Sequence, residues 1–353
     1  MSATDGNDAS TASRPTGEPA GGRTGGTVPV ARTGVRPEDD RRHRPEPGGR
    51  MRDSLFFQTV LAEEQVALQV YLFVTGTGAA GYNVVVWGGP GVPLVRQFDG
   101  GRVPDDMDFD DFSVGSLTIR NLEPLRTATV SVRSEHLDLD LSFRAIQDAF
   151  SYHDNPDGLP SWFALDRIEQ TGRVEGVLRA GDRSYELGPM GHRDHSWGMR
   201  DWRAPQHWKW FVAYTPSGAA VNGWIWVARG TWGFAGSVLR DGVTVPVRTI
   251  EHAATYDDRF QQQTLRAVLH DVDGGATSLE LDVFGVVHLG DERTGTTILE
   301  GACTARIDGE EGVGQFETEW PTPYFEHLGG SDPSGADARG TDRRGEQGPS
   351  APA

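Results

Sequence analysis

The chain has 353 residues, 51 acidic against 33 basic, for a formal net charge of −18. Residues 1–50 hold eight Arg against seven acids and residues 329–353 three Arg against four, so the excess belongs to the segment between. That field repels phosphate backbones and anionic lipid heads, which excludes nucleic acid and membrane surfaces as expected partners and suits a neutral ligand, while the single Cys303 excludes a disulfide framework and any multi-thiolate zinc site.

The N-terminus lacks a basic stretch followed by an apolar one, and no apolar run reaches membrane-span length. A cytoplasmic protein without stable membrane insertion is expected. Residues 1–50 and 329–353, rich in Gly, Pro, Ser, Thr and mixed charge, are expected to be disordered tails. From residue 51 onward short β-branched and aromatic runs take over. Val66 to Val74 and Tyr82 to Trp87, separated by Gly76, Gly78 and Gly81, predict a hairpin. Between His136 and Phe143 the alternation is strict, with Leu137, Leu139, Leu141 and Phe143 on one face. The acidic run Asp105 to Asp111 lacks calcium-loop spacing and reads as a solvated loop. The breaker cluster His153-Asp154-Asn155-Pro156-Asp157-Gly158 marks the expected domain boundary, giving β domains over 51–165 and 166–328.

Beyond it, runs 173–179 and 184–187, 207–214 and 221–228, and 265–270 and 278–287 each bracket a turn. No segment keeps a helical period over three turns. The expected fold is all-β: two antiparallel barrel or sandwich domains packed together.

Seven of the ten tryptophans, Trp197, Trp202, Trp208, Trp210, Trp224, Trp226 and Trp232, fall within 36 residues. Trp208 with Trp210 and Trp224 with Trp226 are each spaced by two, so each pair shares a strand face, and the turn between them makes the faces neighbours. A wall of indoles fits either a stiff core or a ligand cavity; the cavity is preferred, because many indoles pack poorly without voids. The sole lysine, Lys209, then points the other way.

Just upstream, Gly191-His192-Arg193-Asp194-His195-Ser196-Trp197-Gly198 compresses titratable groups between glycines. If extended, Arg193, His195 and Trp197 share one face and His192, Asp194 and Ser196 the other, so only one set can face a pocket. The same alternation splits His192, Asp194 and His195 as metal ligands, so neither metal nor cofactor is expected. Ser196 lacks a nucleophile elbow. Acid–base work on an apolar substrate fits better, with a His or Asp donating a proton and indoles stabilising the cation. An Arg-Asp-His network that braces a domain junction is the structural alternative.

The Gly191 to Gly198 motif, followed by Arg200-Asp201-Trp202 and joined by Asp53-Ser54-Leu55-Phe56-Phe57, resembles the carotenoid 1,2-hydratase (hydroxyneurosporene synthase) superfamily, with its lipocalin-like Diels–Alderases and terpene cyclases. The resemblance implies two lipocalin-like β domains with a hydrophobic ligand held near their junction. It also implies a His-x-Trp pair, matched by His195 and Trp197, working with a later Tyr-x-Asp pair. The latter falls on Asn222 and Trp224, which lack the carboxylic acid. Asp194 or protonated His195 would then serve, Asp194 raised by burial and lowered by Arg193 or Arg200. The expectation is an enzyme that cyclises, isomerises or hydrates a C=C bond of an isoprenoid or polyene. His195, Asp194 and Trp197 would be catalytic, and Trp208, Trp210, Tyr214, Asn222, Trp224, Trp226 and Arg193 would bind substrate. The alternative is a non-catalytic carrier of a hydrophobic small molecule. The oligomeric state is left open.

Overall fold

The structure, a computed structural model, describes residues 34–45, 50–291 and 294–330. It is all-β, built from two antiparallel lipocalin-like sheets. The first holds β1 (Arg52–Leu61), β2 (Val66–Thr75), β3 (Ala79–Gly88), β4 (Val95–Arg102), β5 (Phe112–Val114) and β6 (Leu117–Glu123). It continues through β7 (Thr127–Arg133), β8 (Leu137–Ala145), β9 (Phe150–Ser151), β10 (Asp166–Ala180), β11 (Arg183–Leu187) and β12 (Met190–Gly198). The order runs β4-β3-β2-β1-β12-β10-β8-β7-β6-β5, with β9 and β11 paired to β10. Leu55, Val84, Val114, Ile119 and Leu139, from strands spread across that order, share one apolar cluster, so the sheet wraps around its own core.

The second sheet is a closed barrel of β13 (Pro205–Tyr214), β14 (Ala220–Ala228), β15 (Thr231–Arg240), β16 (Val243–Tyr256), β17 (Gln262–Asp271), β18 (Ala276–Asp291), β19 (Thr296–Ile307) and β20 (Glu310–Pro321). A short helix, α1 (Thr322–His327), follows. The barrel interior is filled by Phe211, Ala213, Val221, Leu265, Leu281, Phe316 and their neighbours. The expected hairpins form as β2 with β3, β10 with β11, β13 with β14 and β17 with β18. The chain passes between sheets after Gly198, so β10 to β12, beyond the expected boundary at residue 165, pair within the first sheet.

The expected tails fall mostly outside the described residues, but 34–45 require a correction. Pro37–Asp40 forms a 3-10 turn, and Asp39, Asp40 and Arg42 are buried. Charge, not apolar area, orders this strap. Arg193 Nη1 lies 3.1 Å from Asp40 Oδ1, Leu125 N donates to Asp40 Oδ2 at 2.6 Å and Arg42 N to Asp108 Oδ1 at 2.7 Å. The run expected to be a solvated loop therefore helps hold the strap.

Candidate functional site

Alternation on β13 decides which face meets the first sheet. Phe211 and Ala213 point into the barrel, whereas Trp208, Trp210 and Trp224 point outward into a cluster with Phe56 and Met190 of the first sheet. Between the two sheets lies a cavity of about 1130 Å³. Trp202, Trp208, Trp210, Trp224, Phe56, Tyr71, Phe73 and Phe163 contribute to its aromatic wall, and its charges are Arg52, Arg96, Arg167, Asp194, Arg200, Glu300, Glu317 and Glu326.

Strand β12 is pinned between β1 and β10, with Asp194 opposite Phe56 on one side and Glu169 on the other. Its bracketing glycines have steric causes. A Cβ at Gly191 would stand 2.5 Å from the Gln58 carbonyl oxygen, and Gly198, at φ +125°, lies against the Leu165 backbone. Between them Asp194 and Ser196 face the cavity.

One cation serves two carboxylates here. Arg167 Nε donates to Glu169 Oε1 at 2.6 Å and Nη2 to Asp194 Oδ2 at 2.9 Å. Burial disfavours both anions, but Glu169 also bonds His192 Nε2 at 2.7 Å, and with Arg167 this brings its pKa down to about 2. For Asp194 burial outweighs Arg167, and repulsion from Glu169 adds to it, so its pKa rises to about 7. Across the cavity, Glu300 on β19 and Glu317 on β20 are cross-strand partners. Burial, then the charge of Glu317, pushes Glu300 well above the carboxylate range; burial also raises Glu317, which accepts the Trp208 indole N–H at 2.5 Å. Two such carboxyls cannot both ionise cheaply, so the pair holds a proton at neutral pH.

The structure places Asp194, Trp208, Trp210 and Trp224 in the cavity lining and the other predicted site residues outside it. His195, 2% exposed, lies on the opposite face of β12, where Nε2 meets Asp53 Oδ1 at 2.6 Å. Asp53 overcomes the effect of burial and raises the His195 pKa, while Asp53 is lowered in return. Trp197 shares that face, stacked on His43 of the strap at 3.8 Å, and Arg193 reaches Asp40 and Gln170. These three brace the strap and the first sheet. Asn222 lies behind the indole wall: Tyr152 donates to its Oδ1 at 2.9 Å and receives the Trp210 N–H at 3.1 Å, which fixes that ring. Tyr214 donates to Gln58 Oε1 at 3.3 Å, and Trp226 packs in the junction cluster without lining the cavity. His192 and Asp194 are split from His195, but a different trio converges: ligand atoms of His43, Asp53 and His195 lie within 4.8 Å of one another. Within this trio His195 Nε2 and Asp53 Oδ1 make a direct hydrogen bond of 2.6 Å.

Sequence reasoning missed Glu300, Glu317, Arg52 and Arg167, and named Arg200 only as a charge acting on Asp194. In Phe316-Glu317-Thr318-Glu319-Trp320 the acids occupy every second position, the pattern of a strand with a solvated face. Only the first sheet packing on that face buries them.

Fold and cavity define a two-sheet lipocalin-like protein with a ligand-sized chamber at the sheet junction. The chain belongs to the family described as Domain of unknown function (DUF7064), which matches residues 36–322. No curated protein sequence matches it. Among solved structures, a Nitrosomonas europaea protein designated AttH superposes with a TM-score of 0.61 at 13% identity, covering 83% of this chain and 98% of the other. CghA, crystallised with Sch210972, gives 0.55 at 14% identity over 77% and 88%. Kievitone hydratase from Nectria haematococca gives 0.53 at 14% over 81% and 92%. At these identities the likeness shows a shared fold. Among the described residues no helix is long and apolar enough to cross a membrane.

Proposed function

We propose that the protein is an enzyme that binds a bulky, polyunsaturated, largely apolar molecule in the junction cavity and protonates one of its C=C bonds. The observation that carries this reading is the set of three carboxyls, Asp194, Glu300 and Glu317, whose burial inside an aromatic-walled chamber raises the pKa of each. A group with a pKa near 7 is suited to give and take a proton at neutral pH, so Asp194 is assigned the transfer and the glutamate pair the reserve proton. Protonation of an alkene carbon leaves a carbocation, which the faces of Trp208, Trp210 and Trp224 stabilise. Loss of a neighbouring proton to the Asp194 carboxylate gives an isomer. Attack by an internal double bond, followed by the same loss, gives a ring. Attack by water, whose proton returns to the carboxylate, gives an alcohol.

The fold shared with a protein named kievitone hydratase supports this class of chemistry. The proton donor first expected, His195, is assigned a bracing role because it lies behind β12. Incubation with acyclic isoprenoids and polyenes in heavy water, with products read by mass spectrometry, tests the reading. Recovered products carrying deuterium at carbon support it. Bound but chemically unchanged ligand would instead identify a carrier.

A further inference from the structure

Not every arginine that lines the cavity is paired with one of its acids. Arg167 is satisfied by Glu169 and Asp194, and Arg96 donates to the His288 carbonyl. Arg52 and Arg200 also line the cavity, yet among the described residues neither has a carboxylate within ion-pair distance. Each guanidinium lies against aromatic rings: Arg52 is 4.2 Å from the Phe73 centroid and 5.3 Å from that of Tyr71, and Arg200 is 4.0 Å from Phe163 and 4.9 Å from Trp202. Stacking holds the planes and leaves N–H edges to donate. Arg200 uses two donors, on the Phe163 carbonyl and Ser196 Oγ, while the buried Nε of Arg52 has no partner. Ser196 Oγ meets Ser54 Oγ at 3.0 Å, so two hydroxyls stand beside the guanidinium pair. Burial, together with repulsion from Arg52, brings the Arg200 pKa down to about 10, a cost that a bound anion would relieve.

We infer that Arg52 and Arg200, with Ser54 and Ser196, form an anion subsite that takes the carboxylate head of an otherwise apolar polyene. This narrows the neutral ligand expected from net charge to an amphipathic acid, and it rests on the proposed reading of the cavity as a ligand site. A carboxylate matches the arrangement because guanidinium edges and hydroxyls donate in directions a planar anion accepts, while the aromatic wall takes the chain.

Retinoic acid and retinol differ in their head group but share a polyene chain, and both quench tryptophan emission, so Trp202, Trp208, Trp210 and Trp224 report their entry into the full-length protein. At about pH 8, where a carboxylate is ionised, retinoic acid is expected to bind about ten-fold or more tighter than retinol. Arg52→Gln and Arg200→Gln are each expected to remove most of that preference while leaving retinol affinity within about two-fold and the thermal melt intact. Equal affinities in the unaltered protein would overturn the anion subsite and leave the apolar cavity standing. Quenching by neither compound would overturn the ligand cavity and the subsite with it.

Discussion

Asp194 draws its chemistry from a shortage of positive charge: Arg167 is divided between two carboxylates, and Glu169 takes the larger share through His192. Replacing Asp194 by Asn keeps the shape and removes the transferable proton. Turnover is expected to fall about 10²- to 10⁴-fold, with ligand quenching retained. Because protonated Asp194 is the active form, activity should decline as pH rises through about 7, the value to which burial lifts it. A pH–rate profile that is flat there would assign the acid elsewhere. Asn222 makes a contrasting case. Its position suggested a missing acid, whereas its side chain holds Tyr152 and, through it, Trp210. Asn222→Leu should therefore weaken polyene quenching and cost about 1–3 kcal/mol in denaturant melts, since it leaves the buried Tyr152 hydroxyl without its acceptor.

At the scale of elements, strand alternation was readable and burial of charge was not. The two faces of β12, the shared faces of Trp208 with Trp210 and of Trp224 with Trp226, and the hairpins all follow from a period of two. Which face of β12 meets the cavity depends on β1, β10 and the barrel, which lie far away in sequence. The strap 34–45 was hidden for a related reason. Its composition is that of a solvated tail, and its order comes from Arg193, Asp53 and Asp108 in the first sheet. Asp40→Ala should accordingly destabilise the fold by about 3–5 kcal/mol, because it strands the Arg193 guanidinium in the interior. Chemical denaturation would measure it, and a loss under about 0.5 kcal/mol, typical of a surface site, would show that the strap does not brace the sheet.

For the whole molecule, buried ionisable groups set a direction for stability with pH. Asp194, Glu300, Glu317 and Glu319 are all raised, the last to about 8, so the folded state holds protons that the unfolded chain has released. Their contribution is present at low pH and lost as pH rises. His195, also raised, acts in the same sense above its ordinary value of 6.5. Glu169 and Asp53 act oppositely, but their contribution is complete above the usual carboxylate range. His207, lowered to about 3, stops opposing the trend once the unfolded imidazole has lost its proton. From about pH 6.5 toward 8, where Lys209 begins to counteract, Tm should therefore fall, each carboxyl contributing up to about 1.4 kcal/mol per pH unit. A Tm that climbs across that interval in calorimetry would mean that the cavity carboxyls are ionised.

The proposed chemistry depends on carboxylic acids that keep their protons in a chamber between two β-sheets, and infrared spectroscopy reads that state without a substrate. At pH 7 the folded protein should show the C=O stretch of protonated carboxyl groups, and Glu300→Gln should remove part of that band. A spectrum with only ionised carboxylates, unchanged by the substitution, would contradict it.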